Sequence, residues 1–81
     1  MLAQEFTLLK ALPTLKQEDV GLTVALLQRL LVFYRYLSCN PVNTVFASTI
    51  DSAVRQFQHD NGLYEDGIVG HSTWAALMDL N

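Results

Sequence analysis

The chain lies on itself when shifted by 23 residues. Asn43-Thr44-Val45-Phe46-Ala47-Ser48-Thr49 then falls on Asp66-Gly67-Ile68-Val69-Gly70-His71-Ser72, and the match runs on through Ala53 on Ala76, Val54 on Leu77 and Phe57 on Leu80. Each copy reads as a turn, a pair of apolar anchors and a helix. In the second copy, Asp66-Gly67 predicts a tight turn whose carboxylate accepts a backbone amide and whose glycine supports a positive φ. Ile68 and Val69 are expected to plug the core, and Gly70 to cap the next helix. Val69 and Trp74 then stand at the N′ and N4 positions of a hydrophobic staple. Two copies are too few for a solenoid. They are expected to pack as a pseudo-symmetric pair on another element.

That element is the stretch from about Val20 to Leu37. Leu22, Leu26, Leu27, Leu30, Leu31, Tyr34 and Leu37 recur at three- and four-residue spacing and predict one broad apolar face. Asp19 is placed to cap the first amides, and Gln28, beside the face, to reach a neighbouring backbone group. Ser38-Cys39-Asn40-Pro41 ends the helix, because a proline disfavours helical geometry at the residue before it. In the first copy Ser48-Thr49-Ile50-Asp51 resembles a capping box, and Asn61-Gly62 stops the helix with a left-handed glycine. The last helix is expected over about His71 to Leu80. Short bridges are possible near Val45-Phe46 and Ile68-Val69. Residues 1–11 form a separate amphipathic segment, with Leu2, Phe6 and Leu9 at i, i+4 and i+7. The fold class is therefore all-α: a small three-helix bundle spanning 12–81, with a possible extra helix before it.

Composition excludes several functions. Of 81 residues, eight are acidic and five basic, for a net charge of −3. Lys10, Lys16, Arg29, Arg35 and Arg55 never form a run, so neither nucleic acid nor an anionic membrane surface is an expected partner. No stretch of about 18 apolar residues predicts a membrane span. Met1 to Phe6 lack the basic and apolar regions of a signal peptide. His59, His71 and the lone Cys39 show no metal-ligand spacing. Glu65-Asp66 is explained by the turn, and Ser48, Ser52 and Ser72 read as caps or surface residues. No catalytic residue, metal or cofactor is expected.

Taken together, the residues resemble the peptidoglycan-binding-like domain, a three-helix module of many cell-wall hydrolases. Gly21, Val24, Leu27 and Gln28 match its first helix, and Ala53-Val54-Arg55-Gln56-Phe57-Gln58 its second. Gly62-Leu63, Asp66-Gly67-Ile68-Val69-Gly70 and Thr73-Trp74-Ala75-Ala76-Leu77 match its closing turn and helix. The chain departs from the pattern in the first turn, where Asn43, Thr44 and Ala47 replace Asp, Gly and Gly and Ile50 replaces Thr. Arg35 also stands where the family often has Gly. The resemblance implies non-catalytic binding of peptidoglycan or a related cell-wall glycan, at the cell envelope or outside the cell. The altered turn and the apolar segment 1–11 motivate a rival reading, a protein–protein interaction module that keeps the fold.

Sugar faces stack on aromatic rings, and stem peptides offer carboxylates to arginine. Trp74, Phe33, Phe46 and Phe57 are expected in the core from their helical spacing. The expected ligand contacts are Tyr36 and Tyr64, at helix ends or loops, with Asn43 in the first turn. Arg55 is expected to project near that turn. Each competes with the plainer reading of an ordinary surface residue.

Overall fold

In the computed structural model, which describes residues 12–38 and 45–79, an extended lead-in precedes three helices. These are α1 (Leu22–Phe33), α2 (Ser48–Asp60) and α3 (His71–Leu77). The expected N-terminal helix, Cys39, Asn43 and Leu80 lie outside the described residues. Among the described residues there is no strand, and no helix is long and apolar enough to cross a membrane.

The lead-in holds the two repeated turns together. Val69 N–H donates to the Leu15 carbonyl at 2.7 Å and Leu15 N–H returns the bond at 3.1 Å. Phe46 N–H donates to the Asp19 carbonyl, and Glu18 N–H to the Phe46 carbonyl, both at 2.8 Å. Phe46 and Val69 are equivalent under the 23-residue offset, and both are fully buried. The bridges expected near these residues form at Val45 and Val69. Trp74 adds a third tie, its indole N–H donating to the Pro13 carbonyl at 2.8 Å.

The core gathers Val24, Leu27 and Leu31 of α1 with Ile50, Ala53, Val54 and Phe57 of α2. Trp74 and Leu77 of α3 complete it, with Leu15, Phe46 and Val69 from the connecting segments. The expected apolar face of α1 is narrower than its leucine content implied. Leu22 is 86% exposed, Leu26 is also exposed, and Phe33, expected in the core, is 75% exposed. The stripe through Val24, Leu27 and Leu31 already faces α2 and α3. Leucines a quarter-turn or more away are left facing solvent. Ile68 is likewise not a core plug: it is 42% exposed, as is its equivalent Val45 at 41%. In extended backbone, successive side chains point to opposite sides, so one anchor of each pair enters the core.

Helix ends also differ from expectation. The N-cap of α1 is Gly21, at φ 127° and ψ −178°, a conformation essentially restricted to glycine. Asp19 does not cap it; its carboxylate accepts the Lys16 N–H at 2.9 Å. The capping box at Ser48 does not form, because Ala47 occupies the N-cap and Ser48 is already helical. Gly70 does cap α3, and both staple residues, Val69 and Trp74, are buried. α1 ends at Phe33 instead of Leu37. Tyr36 N–H bonds the Leu31 carbonyl at 2.8 Å and Arg35 N–H the Val32 carbonyl at 3.0 Å, with Arg35 at φ 69°. This is a Schellman stop in which arginine occupies the left-handed position usually given to glycine. Tyr34, just beyond α1, turns inward and donates its hydroxyl to the Leu77 carbonyl at 2.8 Å.

Candidate functional site

The best-defined surface feature is the loop from Gly62 to Ile68, and α2 dictates its path. The helix stops in a second Schellman motif: Leu63 N–H bonds the Gln58 carbonyl at 2.8 Å and Gly62 N–H the His59 carbonyl at 3.2 Å, with Gly62 at φ 71°. The chain then doubles back along α2. At the returning turn Asp66 Oδ1 accepts the Ile68 N–H at 2.9 Å, and Gly67 takes φ 74°. A Cβ on Gly67 would displace the Asp51 carboxylate and crowd the Arg55 guanidinium, and the positive φ itself favours glycine here.

Gln58 fastens this turn from below. Its buried amide donates to Asp66 Oδ1 at 3.1 Å, the Ile68 carbonyl at 3.0 Å and Thr73 Oγ1 at 3.2 Å. Its Oε1 accepts the Gly67 N–H at 3.0 Å. One side chain thus ties α2, the turn and the start of α3. Outside the turn, Arg55 Nη1 donates to the Glu65 carbonyl at 2.9 Å while its Nε donates to Asp51 at 3.0 Å. His59 Nδ1 lies 3.0 Å from Glu65 Oε2. Glu65, and to a lesser degree Asp60, raise the His59 pKa above its ordinary value.

Between this loop and the first turn of α3 lies an open groove of about 700 Å³, whose lining includes Tyr64 and Ile68 of the loop and His71 and Ser72 of the helix. The volume falls within the range of small-molecule sites, roughly 300–1,000 Å³. Tyr64 is 89% exposed, so its ring offers a bare face.

The four residues expected to contact ligand are not brought to one place. Tyr64 lines the groove. Arg55, expected near the first turn, is engaged with the second, its guanidinium bonded to the Glu65 carbonyl and to Asp51. Tyr36 packs edge-on against Phe57 at 5.4 Å and donates its hydroxyl to Asp60 at 2.6 Å. That bond raises the Tyr36 pKa and, with the Gln56 amide, lowers that of Asp60. Positions 55 and 60 are roughly 140° apart around α2, so Arg55 and Tyr36 serve different faces. Asn43 is outside the described residues. The groove residues His71 and Ser72 escaped the sequence reading, as did the part played by Gln58. Gln58 did leave a signal: it falls on the apolar stripe of Ile50, Val54 and Phe57, where a polar side chain must find buried partners. Among the described residues, no group of three His, Cys, Asp or Glu side chains is arranged to hold a metal ion.

The family model described as "Putative peptidoglycan binding domain" matches residues 20–77, which include both turns, all three helices and the groove. The chain belongs to this family. Two solved structures share the family fold closely. One is a peptidoglycan-binding protein from Clostridioides difficile in complex with glutamine hydroxamate, 30% identical with a TM-score of 0.74 over 82% of this chain. The other is the Burkholderia AP3 phage endolysin, 35% identical with a TM-score of 0.73 over 80% of this chain. This chain spans 40% of the first and 24% of the second. No curated protein matches it.

Proposed function

We propose that this domain is a non-catalytic module that binds peptidoglycan and targets an attached or partner protein to it. The observation that carries this reading is the family match, which takes in the whole groove-forming unit from α2 through α3. The groove supplies what such a module needs, an exposed aromatic face at Tyr64 on a loop fixed by Gln58 and Arg55. Arg55 positions that loop. A single shallow contact can be weak, because linkage to a second wall-bound domain raises its effective concentration into the millimolar range. Co-sedimentation of the purified chain with insoluble peptidoglycan tests the proposal. Recovery above that of an unrelated acidic domain is expected, and equal recovery would refute it. Parallel Tyr36→Ala and Asn43→Ala variants decide whether those residues add contacts of their own.

One observation favours a second reading, a protein-interaction role. Leu22, Leu26 and Phe33 leave an apolar face of α1 open to solvent, flanked by exposed Val20 and Val45. Light scattering coupled to size exclusion separates the two: a strictly monomeric chain with no copurifying protein counts against this reading.

A further inference from the structure

The groove's lining narrows which part of the wall polymer it can hold, an inference that rests on the groove being the peptidoglycan contact. Peptidoglycan offers two chemistries. Its strands are neutral N-acetylated sugars, with apolar ring faces and polar edges, whereas its stem peptides present carboxylates and ammonium groups. A carboxylate is normally recognised by arginine or lysine, most strongly through paired charge-assisted bonds. Among the groove-lining residues there is neither. The Arg55 guanidinium is committed to the loop itself, with Nε on Asp51 and Nη1 on the Glu65 carbonyl. The loop instead carries two acids, Glu65 and Asp66, so a bound carboxylate would meet like charge.

An ammonium would have to be met by Asp66, the one carboxylate among the described lining residues, through the oxygen that does not hold the turn. Asp66 Oδ1 already accepts the Ile68 N–H and the Gln58 amide, and Glu65 Oε2 faces His59. What the groove does offer is an aromatic face on Tyr64, an aliphatic surface on Ile68, and hydrogen-bonding side chains on His71 and Ser72. A lining that combines apolar surface with hydrogen-bonding side chains matches a sugar ring, whose face stacks while its edge hydroxyls and acetamide bond. We infer that this site takes the glycan strand and not the stem peptide, with Tyr64 as the stacking platform and Ser72 and His71 as partners for the sugar edge.

The test uses the intact chain and three probes. These are whole sacculi, soluble neutral β-1,4-linked N-acetylglucosamine oligomers followed by amide chemical shifts, and free stem peptide as competitor. The oligomers are expected to displace the chain from whole sacculi, and free stem peptide to leave it bound. Raising salt from roughly 0.05 to 0.3 M is expected to leave binding almost unchanged, because no ion pair is screened. Tyr64→Ala should weaken binding about tenfold and Tyr64→Phe should restore it, the ring being the active feature. Tyr64 is almost fully exposed, so both variants are expected to melt like the parent. Binding that is competed by free stem peptide and not by the oligomers overturns the glycan assignment while leaving wall binding intact. Failure to bind whole sacculi overturns the wall reading. In that case the oligomer titration still decides the chemistry, since shifts absent from Tyr64, Ile68 and Ser72 contradict the inference.

Discussion

The two turn–helix units place equivalent residues at equivalent depths, yet they are fastened differently. Phe46 and Val69 are fully buried; Val45 and Ile68 are half out; Ala47 and Gly70 cap their helices. Even the attachment repeats. Gln28 donates to the Val45 carbonyl at 3.2 Å and Gln58 to the equivalent Ile68 carbonyl at 3.0 Å. Beyond that shared bond, Gln58 also holds Asp66, Gly67 and Thr73. In the first unit the counterpart of Thr73 is Ile50, buried and without a hydroxyl. The second unit further has Trp74 where the first has Asp51. Among the described residues, the first unit is held by backbone pairing, packing and the Gln28 bond. Presenting a side chain such as Tyr64 in a fixed direction takes the additional polar network.

Substitutions should expose this asymmetry. The largest effect is expected from Trp74→Ala, which empties a large buried site and removes the bond to Pro13, at about 3–5 kcal/mol. A domain of this size has roughly 4–12 kcal/mol in hand, so the urea midpoint should fall by about a quarter or more, down to outright unfolding at the low end of that range. Next comes a paired test. Gln58→Leu strands several buried polar groups, at about 1–3 kcal/mol for each one left unsatisfied, whereas Gln28→Leu removes one bond worth about 1 kcal/mol. Equal losses in the two variants would erase the distinction drawn here.

A smaller effect of opposite sign is expected at Arg35. A non-glycine residue in the left-handed region costs roughly 1–2 kcal/mol, partly offset by the greater chain entropy glycine gives up. Arg35→Gly should therefore stabilise by up to about 1 kcal/mol, read as a higher urea midpoint.

The smallest effects are electrostatic. Asp60, held below its ordinary pKa by Tyr36 and Gln56, stabilises the fold above about pH 4, and that contribution is lost as pH falls through its folded value. His59 is raised by Glu65, so its contribution is complete below about pH 6.5 and is lost as pH rises through the folded value. NMR titration of the His59 ring should show the raised pKa, and Glu65→Gln should return it toward the ordinary one.

Much of this architecture was legible in the residues. Turn chemistry at Asp66-Gly67, the stop at Gly62, the staple of Val69 on Trp74, and the reach of Gln28 each follow from local rules, and each is present. Burial on α1 was not legible, because a helix rich in leucine all round does not declare which stripe meets its neighbours. Leu22 and Phe33 were misread for that reason. The engagement of Arg55 with the second turn is hidden because sequence distance along α2 does not reveal that the later loop folds back onto it. The groove itself joins Tyr64 to Ser72 across a turn, a proximity no periodicity encodes.

The most direct measurement is a map of backbone amide shifts as soluble peptidoglycan fragments are added to the labelled chain. Shifts concentrated at Tyr64, Ile68, His71 and Ser72, with Val45 and Ser48 unmoved, are the predicted result. Shifts gathered instead on Val20, Leu22 and Val45, or none at saturating fragment, would contradict the assignment of binding to the second unit.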